Sequence, residues 1–104
     1  MKLSTTATIT NHEITETLGV VRGSTVRARN VGLDITAAFK NLVGGEVAEY
    51  TKLQADTREQ AIQRMEKDAD RLGADAIVNV RFETAMIMNG AAEILAYGTA
   101  VKLR

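Results

Sequence analysis

The chain has no cysteine, no proline and no tryptophan, and only one histidine, two phenylalanines and two tyrosines among its 104 residues. Without cysteine there are no disulfide staples, no thiolate zinc sites and no thiol redox chemistry. An excess of one charge is missing too: 13 Lys and Arg balance 13 Asp and Glu, and the isoelectric point is about 6.6. A generic nucleic-acid binder carries a basic excess, and so does a protein that docks on anionic lipid. No apolar run approaches the roughly 20 residues that span a bilayer. The opening Met1-Lys2-Leu3-Ser4-Thr5-Thr6 lacks the apolar core of a signal peptide. These absences predict a cytoplasmic protein that engages neither nucleic acid nor membrane.

What is present describes an ordinary globular chain, 45% hydrophobic and 25% charged. A length near 100 predicts a single domain over residues 1–104. Such a domain buries only about 60–70% of its unfolded surface, so its stability margin is thin. Four aromatics cannot dominate a core, and alanine is abundant instead. A modest aliphatic core without net charge has little to oppose self-association. That balance predicts an oligomer.

Along the chain, Ser4 to Thr10 is threonine-rich and favours extended structure. Ile14 to Val21 reads as a strand with Ile14, Leu18 and Val20 on one side, continuing toward Val26. Gly19 and Gly23 within it suggest a bulge or a close backbone approach. The period then changes. Ile35, Ala38, Phe39, Leu42 and Val43 fall on one face of a helix, capped by Asn30 or Asp34 and ended by Gly44-Gly45. A second helix carries Val47, Tyr50, Leu53, Thr57, Ala61, Met65, Ala69 and Leu72 on one face and stops at Gly73. Lys52–Asp56, Arg64–Asp68, Lys67–Asp70 and Asp68–Arg71 mark its other face as solvated.

The last third returns to period two. Ala76, Val78, Val80 and Phe82 alternate with polar residues, and Asn89-Gly90 is the pair that a two-residue hairpin turn prefers. Beyond it Leu95, Tyr97, Thr99, Val101 and Leu103 share one face, and Ala96, Gly98 and Ala100 the other. A flat face of Ala and Gly needs something packed closely against it. Three strands with two helices on one face leave a second sheet face uncovered, and burying that face against other copies is the simplest remedy. The pattern predicts an α+β fold: a β-α-α-β-β subunit with a small antiparallel sheet and two helices on one face.

These residues resemble the YbjQ-like family of small uncharacterised proteins, which carries a heavy-metal-binding label. The shared run is Gly19-Val20-Val21-x-Gly23, then Asn30, Asp34, Ala37, Val43-Gly44-Gly45 and Tyr50. It continues with Arg58, Ala61, Met65 and Ala69, with Leu72-Gly73-Ala74-Asp75-Ala76-Ile77-Val78, and with Gly98-Thr99-Ala100-Val101. The match covers roughly residues 4–104 in one register. Leu33 stands where members often carry a basic residue, and Arg27 and Arg29 replace small ones. The resemblance implies a ring-like pentamer, in which short extra strands help to hold neighbours together, and it admits metal binding.

Site chemistry is sparse. Soft metals want thiolate or imidazole, and His12 is the only imidazole. On an extended strand His12 and Glu16 lie about 13 Å apart, too far for one ion; a ring axis, with one ligand from each subunit, would favour oxygen donors and hard cations. Ser24 in Val21-Arg22-Gly23-Ser24-Thr25-Val26 lacks a nucleophile elbow. Arg22, Arg27 and Arg29, with Lys40, form the one basic cluster, without interleaved aromatics. Met86, Ile87 and Met88 beside the hairpin turn predict packing against a neighbour. No catalytic residue and no metal ligand set stands out, and the cofactor stays open. Asn30, Asp34 and Tyr50 are the candidate ligand residues, because they are polar or amphipathic and lie in the shared motifs. The expected function is a homo-oligomeric binding or structural module, a pentamer or stacked pentamers, with a metal or small-ligand site between subunits. Asp56, Glu59, Glu66, Asp68 and Asp70 read as a solvent-exposed helix face; the alternative function is an enzyme whose active site is assembled from acidic residues across subunits.

Overall fold

Three strands of 13 to 15 residues set the dimensions of the subunit. The computed structural model describes residues 1–28, 47–88 and 91–104. Within them lie β1 (Lys2–Leu3), β2 (Ile14–Ala28), α1 (Val47–Arg71), β3 (Ala76–Met88) and β4 (Ala91–Leu103). The sheet order is β1-β3-β4-β2. β2 and β3 both run antiparallel to β4, whereas β1 runs parallel to β3. The sheet is therefore four-stranded and mixed, not the small antiparallel one expected. β1 was not anticipated, because two residues carry no periodicity. Among the described residues there is one helix; the helix expected over Ile35–Val43 lies outside them, as do the Gly44-Gly45 and Asn89-Gly90 turns.

β2 reaches past Val26 to Ala28 because Val20, Val21, Thr25 and Val26 suit a pleated surface. Its register on β4 slips between Thr17 and Gly19, and Gly19 sits at φ +135°, where a side chain is strained. That bulge reverses the alternation. Leu18 and Val21 face α1, while Val20 points away and is 74% exposed. Ile14 packs on the opposite face too, so neither Ile14 nor Val20 shares a face with Leu18, contrary to the expectation. β3 repeats the device at Asn79, where φ is +53° and the register slips between Val78 and Arg81. Ile77 and Val80 consequently join the core beneath the helix, and Ala76 and Val78 the opposite face.

α1 follows the expected period. Thr57, Ala61, Met65 and Ala69 are buried along one stripe, one turn apart. The helix ends as its sequence indicates, with Gly73 at φ +75°. Ala74 N–H donates to Ala69 O at 3.1 Å and Gly73 N–H to Asp70 O at 2.9 Å, which satisfies carbonyls the last turn would leave bare. The helix comes very close to β2. A Cβ on Gly23 would overlap the Ala61 carbonyl and the Met65 amide.

The core beneath α1 consists of Val21, Ala61, Met65, Ala69, Ile77, Val80, Ala96 and Ala100. The Ala96-Gly98-Ala100 face is therefore covered by the chain's own helix, and it needs no second copy. A smaller cluster of Ala76, Val78 and Val101 lies on the other side, packed by Ile9, Ile14 and Leu103. At this end Glu13 and Arg104 exchange both backbone hydrogen bonds, at 3.1 and 2.8 Å, and also pair through their side chains.

Candidate functional site

The face opposite α1 carries the side chains that the subunit leaves unused. The N-terminal segment covers only one end of it, around Val78 and Val101. Cross-strand register orders the rest in rows: Val20, Thr99 and Val78; then Arg22, Tyr97 and Arg81; then Ser24, Leu95 and Glu83; then Val26, Glu93 and Ala85. Directly opposite residues share a face and touch. Val20 and Val26 are exposed, and Leu95 and Tyr97 are half-buried. A sheet surface that mixes valine, leucine and tyrosine with Arg22, Arg81, Glu83 and Glu93 is amphipathic.

Beyond the helix, β3 carries a second apolar group, with Phe82, Met86 and Ile87 exposed. The subunit is correspondingly drawn out. Its radius of gyration is 17.1 Å and its extents are 53 × 26 × 17 Å, against about 13 Å of radius for a compact chain of this length.

Two helix side chains treat the β2 edge in an unexpected way. Asp68 accepts the Arg22 amide at 3.2 Å, and Arg64 donates from Nη1 to the Ser24 carbonyl at 2.6 Å. Spacing alone suggested that Arg64 and Asp68 pair with each other on a solvated face. Instead both reach over the sheet edge, and Asp68 pairs with Arg71. The Arg22 amide holds the Asp68 carboxyl below its usual range; desolvation opposes this, and Arg71 adds to it.

The expected site residues fare unequally. Asn30 and Asp34 lie outside the described residues, and Tyr50 falls in the first turn of α1. Ser24 is a strand residue whose carbonyl serves Arg64. Glu13 finds Arg104, a partner that the sequence did not suggest. Of the acids expected on the solvated helix face, Asp56, Glu59 and Asp70 are exposed along α1, whereas Asp68 is taken by the β2 edge.

A heavy-metal site does not fit the donors of one subunit. The chain offers no thiolate and a single imidazole. His12 lies in the turn before β2, with its amide on Ile9 O at 3.1 Å. Among the described residues no three His, Asp or Glu side chains gather as a ligand set. Among the same residues, no helix is long and apolar enough to cross a membrane.

Comparison with known proteins points one way. Residues 1–104 match the YbjQ family model described as "Putative heavy-metal-binding". A UPF0145 protein of Methanosarcina acetivorans is 57% identical over 103 residues, which cover 99% of this chain and 97% of that one. A UPF0145 protein of Halorubrum lacusprofundi is 59% identical over 104 residues, with both chains covered fully. One of Archaeoglobus fulgidus is 59% identical over 102 residues, which cover 98% of this chain and 94% of the other. Among solved structures, a Pediococcus pentosaceus protein of unknown function from the DUF74 family superposes with a TM-score of 0.68. That structure covers 100% of this chain and 98% of its own at 19% identity, a likeness of fold alone.

Proposed function

Since the chain belongs to the YbjQ-like family of UPF0145 proteins, we propose that it works as one subunit of a closed homo-oligomer. The assembly is a pentamer or a pair of stacked pentamers in the cytoplasm. It acts as a binding or structural module, and its small-ligand site forms where subunits meet. Asn30 and Asp34, at the start of the helix expected over Ile35–Val43, and Tyr50, in the first turn of α1, are the ligand residues of this reading.

One observation carries the proposal: a long sheet whose helix covers one face and whose other face keeps Val20, Val26, Leu95 and Tyr97 wholly or partly in water. Fully burying an exposed valine is worth about 1.5 kcal/mol, the half-buried Leu95 and Tyr97 have less left to gain, and repeated copies of one chain supply the cover at no cost in new sequence. The extended shape agrees, since a subunit of 17.1 Å radius has sacrificed compactness for surface. A metal, if one is held, sits between copies on oxygen donors, where a single subunit need provide only one ligand.

The test is native mass spectrometry of the wild-type protein and of Val20→Asp. The wild type should fly as five or ten subunits, with any co-purified small molecule as added mass. Val20→Asp should dissociate while keeping its far-UV circular dichroism, because the side chain is exposed within the subunit. A wild-type monomer would overturn the reading.

A further inference from the structure

The two edges of the sheet are finished differently. On β2 the outward Arg22 amide and Ser24 carbonyl are already occupied by Asp68 and Arg64, so that edge is guarded against a passing strand. On β3 the N-terminal segment serves the same purpose as far as Val80. Ser4 N–H donates to Ile77 O at 3.0 Å, Asn79 N–H to Thr6 O at 3.0 Å, and Val80 N–H to Ser4 O at 2.9 Å. From Arg81 onward, no described residue pairs with the outer edge of β3.

The Val80 amide points outward, so alternation along the strand turns the backbone groups of Phe82, Thr84 and Met86 outward as well. Their side chains share the α1 side of the sheet, opposite Ala96, Ile94 and Ala92. The helix packs mainly over β2, at the far side of the sheet, and leaves Phe82 44% and Met86 76% exposed. Among the described residues, an unpaired backbone edge here coincides with an apolar surface.

We propose that the outer edge of β3 beyond Val80 pairs antiparallel with the same edge of a second copy, about a two-fold axis through Thr84. That register sets each outward residue against an outward residue: Phe82 against Met86 of the second copy, Thr84 against its own equivalent, and Met86 against Phe82. Residues so placed exchange both backbone hydrogen bonds, and the two exposed apolar side chains meet twice over. Charges are not opposed, since Arg81 faces Ile87 and Glu83 faces Ala85. The contact is isologous and therefore closes at two copies. It rests on the assembly reading in that copies associate, and it joins one ring to a second to give the stacked pair.

The chain's lack of cysteine makes the test clean. A two-fold through Thr84 puts two copies of that residue about 5.5 Å apart at Cα, within disulfide reach. Thr84→Cys under mild oxidation should give a covalent dimer at least about tenfold faster than Gln63→Cys on the exposed side of α1, by virtue of its raised effective concentration. Equal rates for the two variants overturn the two-fold pairing, and if the wild type still weighs five subunits the assembly reading survives that loss. Should Thr84→Cys fail to fold, wild-type hydrogen exchange reads the same contact. Slow exchange of the Phe82, Thr84 and Met86 amides is expected, and exchange at the rate of open chain overturns the proposal.

Discussion

The backbone amide of Arg22 donates to the carboxylate of Asp68 at 3.2 Å, across 46 residues of sequence. Arg64, one turn earlier on α1, takes the Ser24 carbonyl of the same edge. A helix that packs on a sheet face thus also seals that sheet's border. Among the described residues, the seal leaves the face opposite α1 and the far end of β3 exposed.

The Asp68 bond predicts a pH dependence. Its carboxyl is held below the usual range chiefly by the Arg22 amide, while the unfolded value lies near ~3.9. A depressed folded pKa means that ionised Asp68 stabilises the fold at every pH above ~3.9, and that this contribution fades as pH falls through the lower folded value. Asp68→Asn should therefore cost about 1 kcal/mol at neutral pH and progressively less toward pH 2. Urea melts across that range check it, and a loss independent of pH would contradict the assignment.

Gly23 predicts a steric effect. Any Cβ there meets the Ala61 carbonyl and the Met65 amide, both helix backbone that cannot turn aside. Gly23→Ala should destabilise by about 2–4 kcal/mol by forcing α1 off β2. Denaturant unfolding measures it, and a change within about 0.5 kcal/mol would mean that the helix sits farther away.

The alanine face gives a prediction that separates folding from assembly. Ala100 is fully buried beneath α1, so Ala100→Leu overpacks the interior of each subunit, at a cost of about 1–3 kcal/mol. The melting temperature should fall while the oligomer mass holds. A change of mass with unaltered melting would return this face to the subunit interface.

Metal binding is predicted from donor chemistry. With no thiolate and one imidazole per chain, titration with cadmium or zinc should give no adduct of one ion per subunit in native mass spectra. Stoichiometric cadmium would contradict the account.

How much of this was legible in the sequence depends on how local the signal is. The stripe Thr57, Ala61, Met65 and Ala69 and the Gly73 stop announced α1, because helical period and cap chemistry are read within a few residues. The same holds for the β4 alternation. The inward face of β2 was not legible, since register slips between Ile14 and Glu16 and between Thr17 and Gly19 change phase without changing composition. Bonds such as Arg64 to Ser24 join residues 40 apart, and no spacing rule reaches them. The need for a neighbour was inferred from the uncovered second sheet face and from the Ala96-Gly98-Ala100 face; the latter proves to be core, and the exposed Val20 and Val26 of the former keep that inference. Of the candidate ligand residues, Asn30 and Asp34 fall outside the described residues, and only the helical position of Tyr50 is placed.

The most direct test of the central claim is the mass of the wild-type protein in solution by light scattering. The account predicts about five or ten times the 11.3 kDa of one chain; a single species at 11.3 kDa would contradict it.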